Sequence, residues 1–451
     1  MIVMKFGGTS VAGKNEISRA VEIIASRLNK KPVVVVSAMS KVTDLLYKLA
    51  EAAASKQTDL CEELLNELRT RHIRTAEDLL EGKAGYLLPA ISCVNEICDG
   101  LATTVGAVCA LGELSDRSKA SIVSNGELLS SSIIAHVMNA AGIRTEQVNA
   151  RDMIITSGDV MNGEPDLASI QDRVPGIIEK AFEGNDAVIS QGFISRSKDG
   201  VNTVLGRGGS DYSASLIGMA INAEAIEIWT DVDGVLTADP RVVEGALRLS
   251  RLSFEEAAEM AHFGAKVLHP QTIEPAVRKN IPICVLNSKN PECEGTLILN
   301  DELIEDGVKS VSFKERILVI NMFSTKMINT SGFLSKVFDV FKKNNISIDL
   351  ISTTEANISV TCEESPNNIE KVIEELSEFA SISIDRDKAQ ISVIGKNLVN
   401  LTGTVQKVFD PIEDTKVYMI SQGSSYINLT MVVDRAELKA AVIKIHNSLF
   451  N

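Results

Sequence analysis

Long apolar runs are missing from this chain: no uninterrupted stretch reaches about 18 residues, the length a helix needs to cross a bilayer. The N-terminus enters a strand-like Ile2 to Met4 directly, without the basic segment and apolar run of a leader. A soluble, cytoplasmic protein is expected. No CxxC pair occurs among the seven cysteines, at 61, 93, 98, 109, 284, 293 and 362, and an odd total cannot close a complete disulfide framework. Reduced thiols are expected. Positive charge is in the minority, with 45 Lys and Arg against 60 Asp and Glu and a net charge of −15. That balance disfavours nucleic acid or an anionic membrane as the main partner, although a local basic pocket can still take nucleotide phosphates. The five histidines, His72, His136, His262, His269 and His446, show no metal-ligand spacing and read as packing or surface groups.

What is present is enough apolar residue to build cores. At 451 residues and 45% hydrophobic content the chain is too long for one core and divides into two or three domains. Buried-strand runs at Pro32 to Val36, Ala187 to Ile194, Ala225 to Thr230 and Ile281 to Leu286 alternate with helical patterns through about residue 300, which predicts an α/β sandwich. Thr43 to about Ala110 reads instead as a helical excursion. Between Pro291 and Asp306 periodicity is lost, and a boundary falls there.

Two glycine-rich segments carry the first chemical signal. Ile2 to Met4 runs into Lys5-Phe6-Gly7-Gly8-Thr9-Ser10 and then a helical Glu16 to Arg27. Glycine lets backbone amides approach an anion, and Lys5 adds a full charge. Downstream, Gly206-Arg207-Gly208-Gly209-Ser210-Asp211 lies between the Ala187 to Ile194 run and a helical Ala214 to Ala223. Arg207 offers a planar fork for a carboxylate or phosphate and Asp211 an acceptor for an ammonium, so together they suit a zwitterion. A plain tight turn, the commoner meaning of Gly-Gly after a strand, is the alternative at the first segment, and a surface loop with a local Arg–Asp ion pair is the alternative at the second. Gly8-Thr9-Ser10-Val11-Ala12-Gly13-Lys14-Asn15 nearly spells a P-loop but fails at Asn15, where that motif needs a hydroxyl for magnesium.

Beyond residue 310 the sequence repeats at about 71 residues: Ser335-Lys336-Val337-Phe338-Asp339 returns as Gln406-Lys407-Val408-Phe409-Asp410, and Ile351-Ser352 as Ile420-Ser421. Each unit reads strand, helix, strand, strand, helix. Units so small bury little surface alone and are expected to pair.

Further blocks fall in one order: Val36-Ser37-Ala38-Met39-Ser40, Ser124-Asn125-Gly126-Glu127, Trp229-Thr230-Asp231-Val232-Asp233-Gly234-Val235, Thr237-Ala238-Asp239-Pro240-Arg241 and Phe263-Gly264-Ala265-Lys266-Val267-Leu268-His269-Pro270. With the two glycine segments they cover essentially the whole chain, and in that order the chain closely resembles the aspartate kinases. The resemblance implies an amino-acid-kinase αβα sandwich with a mainly parallel central sheet over 1–300. Two ferredoxin-like (βαββαβ) ACT domains are implied at 308–385 and 386–451. It also implies transfer of the ATP γ-phosphoryl group to the side-chain carboxylate of L-aspartate, the first step toward lysine, threonine and methionine. An aspartate side chain, with a pKa of about 3.9, is ionised roughly a thousandfold over its acid form at pH 7, so no general base is needed. Catalysis then comes from alignment and charge neutralisation by lysine, backbone amides and magnesium held mainly by the nucleotide phosphates.

By the same resemblance, Lys5 contacts the transferring phosphoryl group, Gly7 and Gly8 donate amides to it, and Ser37 and Thr43 line the junction of the substrates. Glu127 and Asp211 match positions near the aspartate amino group, Arg207 the α-carboxylate clamp, and Ser210 an orienting group. Taken alone, Glu127 reads as well as a first-turn partner of a helix dipole. Thr230, Asp231, Arg241, Lys266 and Val267 match positions around ATP, while Leu236 stands where many relatives carry a tyrosine against the adenine. Outside that context Asp239-Pro240-Arg241 is also an ordinary turn, and Lys266 an exposed lysine. Met327, Thr330, Phe333, Leu334, Ser347 and Asp349 match the lysine-inhibited type, with lysine as the expected effector, threonine next, and a homodimer or higher assembly through the ACT domains. A purely structural dimerisation role for the repeats, another carboxylate kinase such as an acetylglutamate kinase or glutamate 5-kinase, and a non-catalytic amino-acid sensor are the competing readings.

Overall fold

The fold is described from a computed structural model that covers the chain apart from residues 265–269, 301, 303, 329–330, 365–367, 424 and 451, and apart from the side chains of residues 270 and 271. Two compact units emerge. The first comprises Met1–Val235, Arg248–Phe254 and Val267–Leu303, and the second Leu236–Leu247, Glu255–Lys266 and Ile304–Asn451.

The first unit is built on an eight-stranded sheet. Its order is Arg251–Ser253, Thr296–Leu299, Ile283–Asn287, Ile226–Thr230, Ile2–Phe6, Pro32–Val36, Ala187–Gln191, Thr145–Val148. All neighbours are parallel except Ile283–Asn287 with Thr296–Leu299. Central parallel strands covered on both faces need continuous β-branched runs, and Pro32-Val33-Val34-Val35-Val36 is buried at every position. The helical excursion is present as Val42–Ala54, Thr58–Leu79 and Ala84–Leu111. Ala84–Leu111, at 28 residues, is long and apolar enough to cross a membrane by length and composition, although Glu96 and Asp99 interrupt it. Its stripe Ala90, Val94, Cys98, Leu101, Val105 and Val108 is buried in the core of this unit. His72 is buried with Nδ1 2.7 Å from Leu68 O, and burial pushes its pKa down to about 4, so it is a neutral core histidine.

One strand differs from the sequence reading. The run Ala187 to Ile194 breaks into Ala187–Gln191 and Ile194–Ser197 because Phe193 adopts φ +67. Ile194–Ser197 joins a separate four-stranded sheet with Glu164–Pro165, Ile155–Ser157 and Asn202–Val204. Those short strands carry no run long enough to announce themselves.

The second unit holds a six-stranded antiparallel sheet in the order Ile351–Thr353, Asn357–Glu363, Gly307–Phe323, Ser381–Lys396, Asn428–Asp434, Val417–Gln422. Helices Phe333–Lys343, Ile369–Ser377, Thr404–Phe409 and Leu438–Phe450 complete the two repeats. The repeats are not a linear pair. Val311 lies in the core of the second repeat with Ile391, Val393 and Met431, while Leu318, Ile320 and Met322 of the same strand lie in the core of the first. The register slips between Lys314 and Ile317. The start of Gly307–Phe323 therefore packs with the second repeat although it precedes the first in sequence. Two segments expected in the kinase half also join this unit, held by Val311 N–H to Thr237 O, by Thr237 Oγ1 and His446 Nε2 at 2.8 Å, and by Asn428 Nδ2 to Glu259 Oε2 at 3.0 Å.

Candidate active site

In an open α/β sheet ligands bind beyond the carboxyl ends of the strands, where the strand order reverses. Here Phe6, Val36, Gln191 and Thr230 end four adjacent strands, and the residues after them are Gly7, Ser37, Gly192 and Asp231. Most of the candidate catalytic and substrate residues therefore meet along one edge.

Lys5 is the fourth residue of Ile2–Phe6 and is buried, with its ammonium 2.6 Å from Asp211 Oδ1. Their side chains are only 11% and 16% exposed. The helix expected from Ala214 begins five residues earlier, as Gly209–Ala220, so Ser210 and Asp211 sit in its first turn, where the dipole favours a carboxylate. Gly208, at φ +71, turns the chain into it. The local Arg207–Asp211 pair does not form: Asp211 faces Lys5, while Arg207 is exposed between two positive-φ glycines and makes no ion pair with any described residue. Ser210 is brought close by Gly192, where an added Cβ would lie 2.6 Å from Ser210 Cβ.

The glycine turn is tighter than expected. Gly7 N–H donates to Trp229 O at 3.1 Å and so belongs to the strand ladder, which corrects the expectation that both glycine amides face an anion. Gly8 opens the short 3-10 turn Gly8–Val11, and a Cβ there would meet Ala38 O at 2.9 Å. Ser37 N–H donates to Phe6 O, and Ser37 O accepts from Ser130 Oγ. Thr43 lies in the first turn of Val42–Ala54.

Glu127 is fully buried in the helix Asn125–Ala140. Oε1 accepts from Ala38 N–H at 3.1 Å, while Oε2 is buried with no hydrogen-bond partner. Desolvation pushes its carboxyl up to about 8. Glu127 does lie in the first turn of this helix, where the dipole favours a carboxylate, but there it is sealed from water. Burial, and then the Glu127 charge, also raise the Tyr47 phenol. Tyr47 was missed by sequence reasoning, although it follows Thr43 by one helical turn and that spacing places both on one face.

Thr230 ends its strand half-buried, with Oγ1 3.4 Å from Oδ1 of the exposed Asp231. Leu236 and Arg241 fall in the second unit. Arg241 is held by Asp239, backbone N–H to Oδ1 at 2.9 Å and NH2 to Oδ2 at 2.5 Å, the geometry of a self-contained turn. Lys266 and Val267 lie outside the described residues, as does Thr330. Met327 and Phe333 pack on the core of the first repeat, Phe333 edge-on to Phe379 at 5.7 Å, whereas Leu334 and Ser347 are exposed. The Asp349 side chain is only 4% exposed.

A buried lysine thus sits at the end of a central parallel strand with its ammonium on Asp211, and Glu127 is buried against Ala38 just past the end of the neighbouring strand. The sequence places the chain in a class: residues 1–287 match the amino acid kinase family, and residues 320–378 and 391–449 match the ACT domain. The chain is 33% identical, over its whole length and 99% of the relative's, to the lysine-sensitive aspartokinase 3 of Escherichia coli (strain K12). It is 34% identical, over 99% of its own length and 80% of the relative's, to the chloroplastic aspartokinase 1 of Arabidopsis thaliana. The structure of E. coli aspartokinase III with aspartate and ADP superposes over 100% of both chains with a TM-score of 0.88 at 32% identity. A second structure of that enzyme, with lysine and aspartate, gives 0.83 over the same coverage and at the same identity. The chain belongs to the aspartokinase family.

Proposed function

We infer that this protein transfers the γ-phosphoryl group of ATP to the side-chain carboxylate of L-aspartate, giving 4-phospho-L-aspartate and ADP. The observation that carries the reading is the Lys5–Asp211 pair at 2.6 Å, set in the same unit as a fully buried Glu127 with one oxygen lacking a donor. The aspartate ammonium supplies that donor. Its α-carboxylate takes the unpaired Arg207 fork, which leaves the side-chain carboxylate free to attack phosphorus. Asp211 fixes the Lys5 ammonium, which neutralises charge spread over the transferring oxygens. Since the nucleophile is already ionised, no residue has to take its proton. A turnover on the order of 10 per second corresponds to a barrier of about 16 kcal/mol.

Magnesium accompanies the nucleotide phosphates. The nucleotide phosphates are proposed to hold most of its coordination sphere, and among the described residues no group of three or more His, Cys, Asp or Glu side chains gathers into a metal site. Thr230 and Asp231 are proposed to face the nucleotide, and Leu236, Arg241, Lys266 and Val267 are proposed nucleotide contacts by the family resemblance alone. Lysine is the proposed effector, with threonine next, and the ACT repeats are the proposed dimerisation element. A cytoplasmic location is proposed, as for a biosynthetic enzyme. An amine inhibitor acts only by binding the less active state more tightly, so the ACT sheet has to be a two-state element. The test is ADP release from magnesium-ATP with aspartate, glutamate or acetylglutamate as acceptor. Aspartate-dependent release supports the reading, and release only with another acceptor overturns it.

A further inference from the structure

The Asp349 carboxylate is already occupied from within the chain. Lys314 places its ammonium 2.8 Å from Asp349 Oδ1, with the two side chains 12% and 4% exposed. Asp349 Oδ2 is buried and has no hydrogen-bond partner. A second carboxylate stands by: Glu363 lies 3.9 Å from the same Lys314 nitrogen and is 77% exposed. His262 Nε2 is 3.5 Å from Asp349 Oδ1.

A desolvated carboxylate with a single paired ammonium is a charge-balanced unit, and adding a second ammonium beside it would set two cations together away from water. We propose that Lys314 is an internal stand-in for the effector's ammonium, so that an amine effector gains Asp349 only by handing Lys314 over to Glu363. This rests on the lysine-effector reading above. The exchange conserves charge: one carboxylate and one ammonium pair before it, two of each pair after it. Lys314 is placed to move because the strand register slips between it and Ile317, where Gly307–Phe323 passes from one repeat's core to the other's. The cost of displacing Lys314 sets the effector's affinity, and a ligand with no ammonium to exchange leaves Lys314 on Asp349 and gains nothing from that carboxylate. The exchange also reaches His262, the last residue of the helix Phe254–His262, four residues before Lys266 in the candidate nucleotide segment.

The test measures the lysine concentration for half-inhibition, and lysine binding by calorimetry, on the full-length wild type, Lys314→Met, Lys314→Arg and Glu363→Gln. Lys314→Met should lower the midpoint about tenfold, the factor to which about 1.4 kcal/mol corresponds. Lys314→Arg keeps the cation and should stay within about twofold of wild type, while Glu363→Gln removes the receiving carboxylate and should raise the midpoint about threefold. Glu363 is exposed, so its variant reads the exchange even where Lys314→Met fails to fold. Wild type inhibited by lysine with an unchanged or raised midpoint in Lys314→Met, or an unchanged midpoint in Glu363→Gln, overturns the proposal and leaves the effector reading standing. Lysine binding in Lys314→Met but not in wild type supports the stand-in. Binding in neither overturns the effector reading and the proposal with it.

Discussion

Glu127 makes the sharpest demand on experiment. Its folded-state pKa of about 8 stands well above the ordinary 4.5, raised first by desolvation and only partly offset by the Ala38 amide. The free enzyme therefore holds it mostly neutral at pH 7, whereas an aspartate ammonium wants the carboxylate. If binding requires that form, the apparent KM for aspartate scales as one plus ten to the power of pKa minus pH, which is about 11 at pH 7 and about 1.3 at pH 8.5. Steady-state kinetics across that range should show the aspartate KM falling roughly eightfold while the ATP KM changes little. Glu127→Gln should remove the slope and leave the aspartate KM high throughout. The stability consequence has the opposite sign. A neutral buried carboxyl stabilises the fold fully below about pH 4.5, and that contribution is lost as pH rises through about 8. At about 1.36 kcal/mol per unit the loss is on the order of 5 kcal/mol, readable as a decline in denaturant midpoint that Glu127→Gln lacks. A flat aspartate KM in wild type between pH 7 and 8.5 would refute the argument.

Other expectations concern the remaining edge residues. Lys5→Met should lower turnover by about 10²- to 10³-fold with the aspartate KM nearly unchanged; an unaltered turnover would remove Lys5 from the phosphoryl role. Arg207→Ala should raise the aspartate KM by about 10- to 100-fold, as expected for one lost charge-assisted contact, and a selective rise in the ATP KM instead would interchange the two substrate sides. Gly8→Ala should depress turnover because its Cβ would meet Ala38 O at 2.9 Å, and crystallography should show the turn displaced. Wild-type turnover in that variant would show the turn to be slack.

Much of this was legible in the residues. The valine run announces a buried parallel strand and Lys5-Phe6-Gly7-Gly8 a glycine turn at the end of its neighbour, while the repeat of Val337-Phe338 at Val408-Phe409 announces the paired ACT units. What stayed hidden depends on distances between remote residues. No local pattern reveals that Asp211 faces Lys5 rather than Arg207, since the approach requires the helix Gly209–Ala220 to start at the glycines. Nor does sequence show that Gly7 spends its amide on Trp229, that Glu127 is sealed from water, or that Phe193 takes a left-handed backbone and divides its strand. The passage of one strand between the cores of the two ACT repeats was invisible for a related reason. The run 307–323 carries Lys314-Glu315-Arg316 between two apolar halves, and only packing assigns those halves to different cores.

The central claim is that this edge makes an acyl phosphate on aspartate with Lys5 at the phosphoryl group. Trapping the product with hydroxylamine tests it most directly, comparing wild type with Lys5→Met in the presence of magnesium-ATP and aspartate. Aspartyl hydroxamate should form only with both ATP and aspartate present and be nearly absent with Lys5→Met. Hydroxamate formed only from another carboxylate, or formed at the wild-type rate by Lys5→Met, would contradict it.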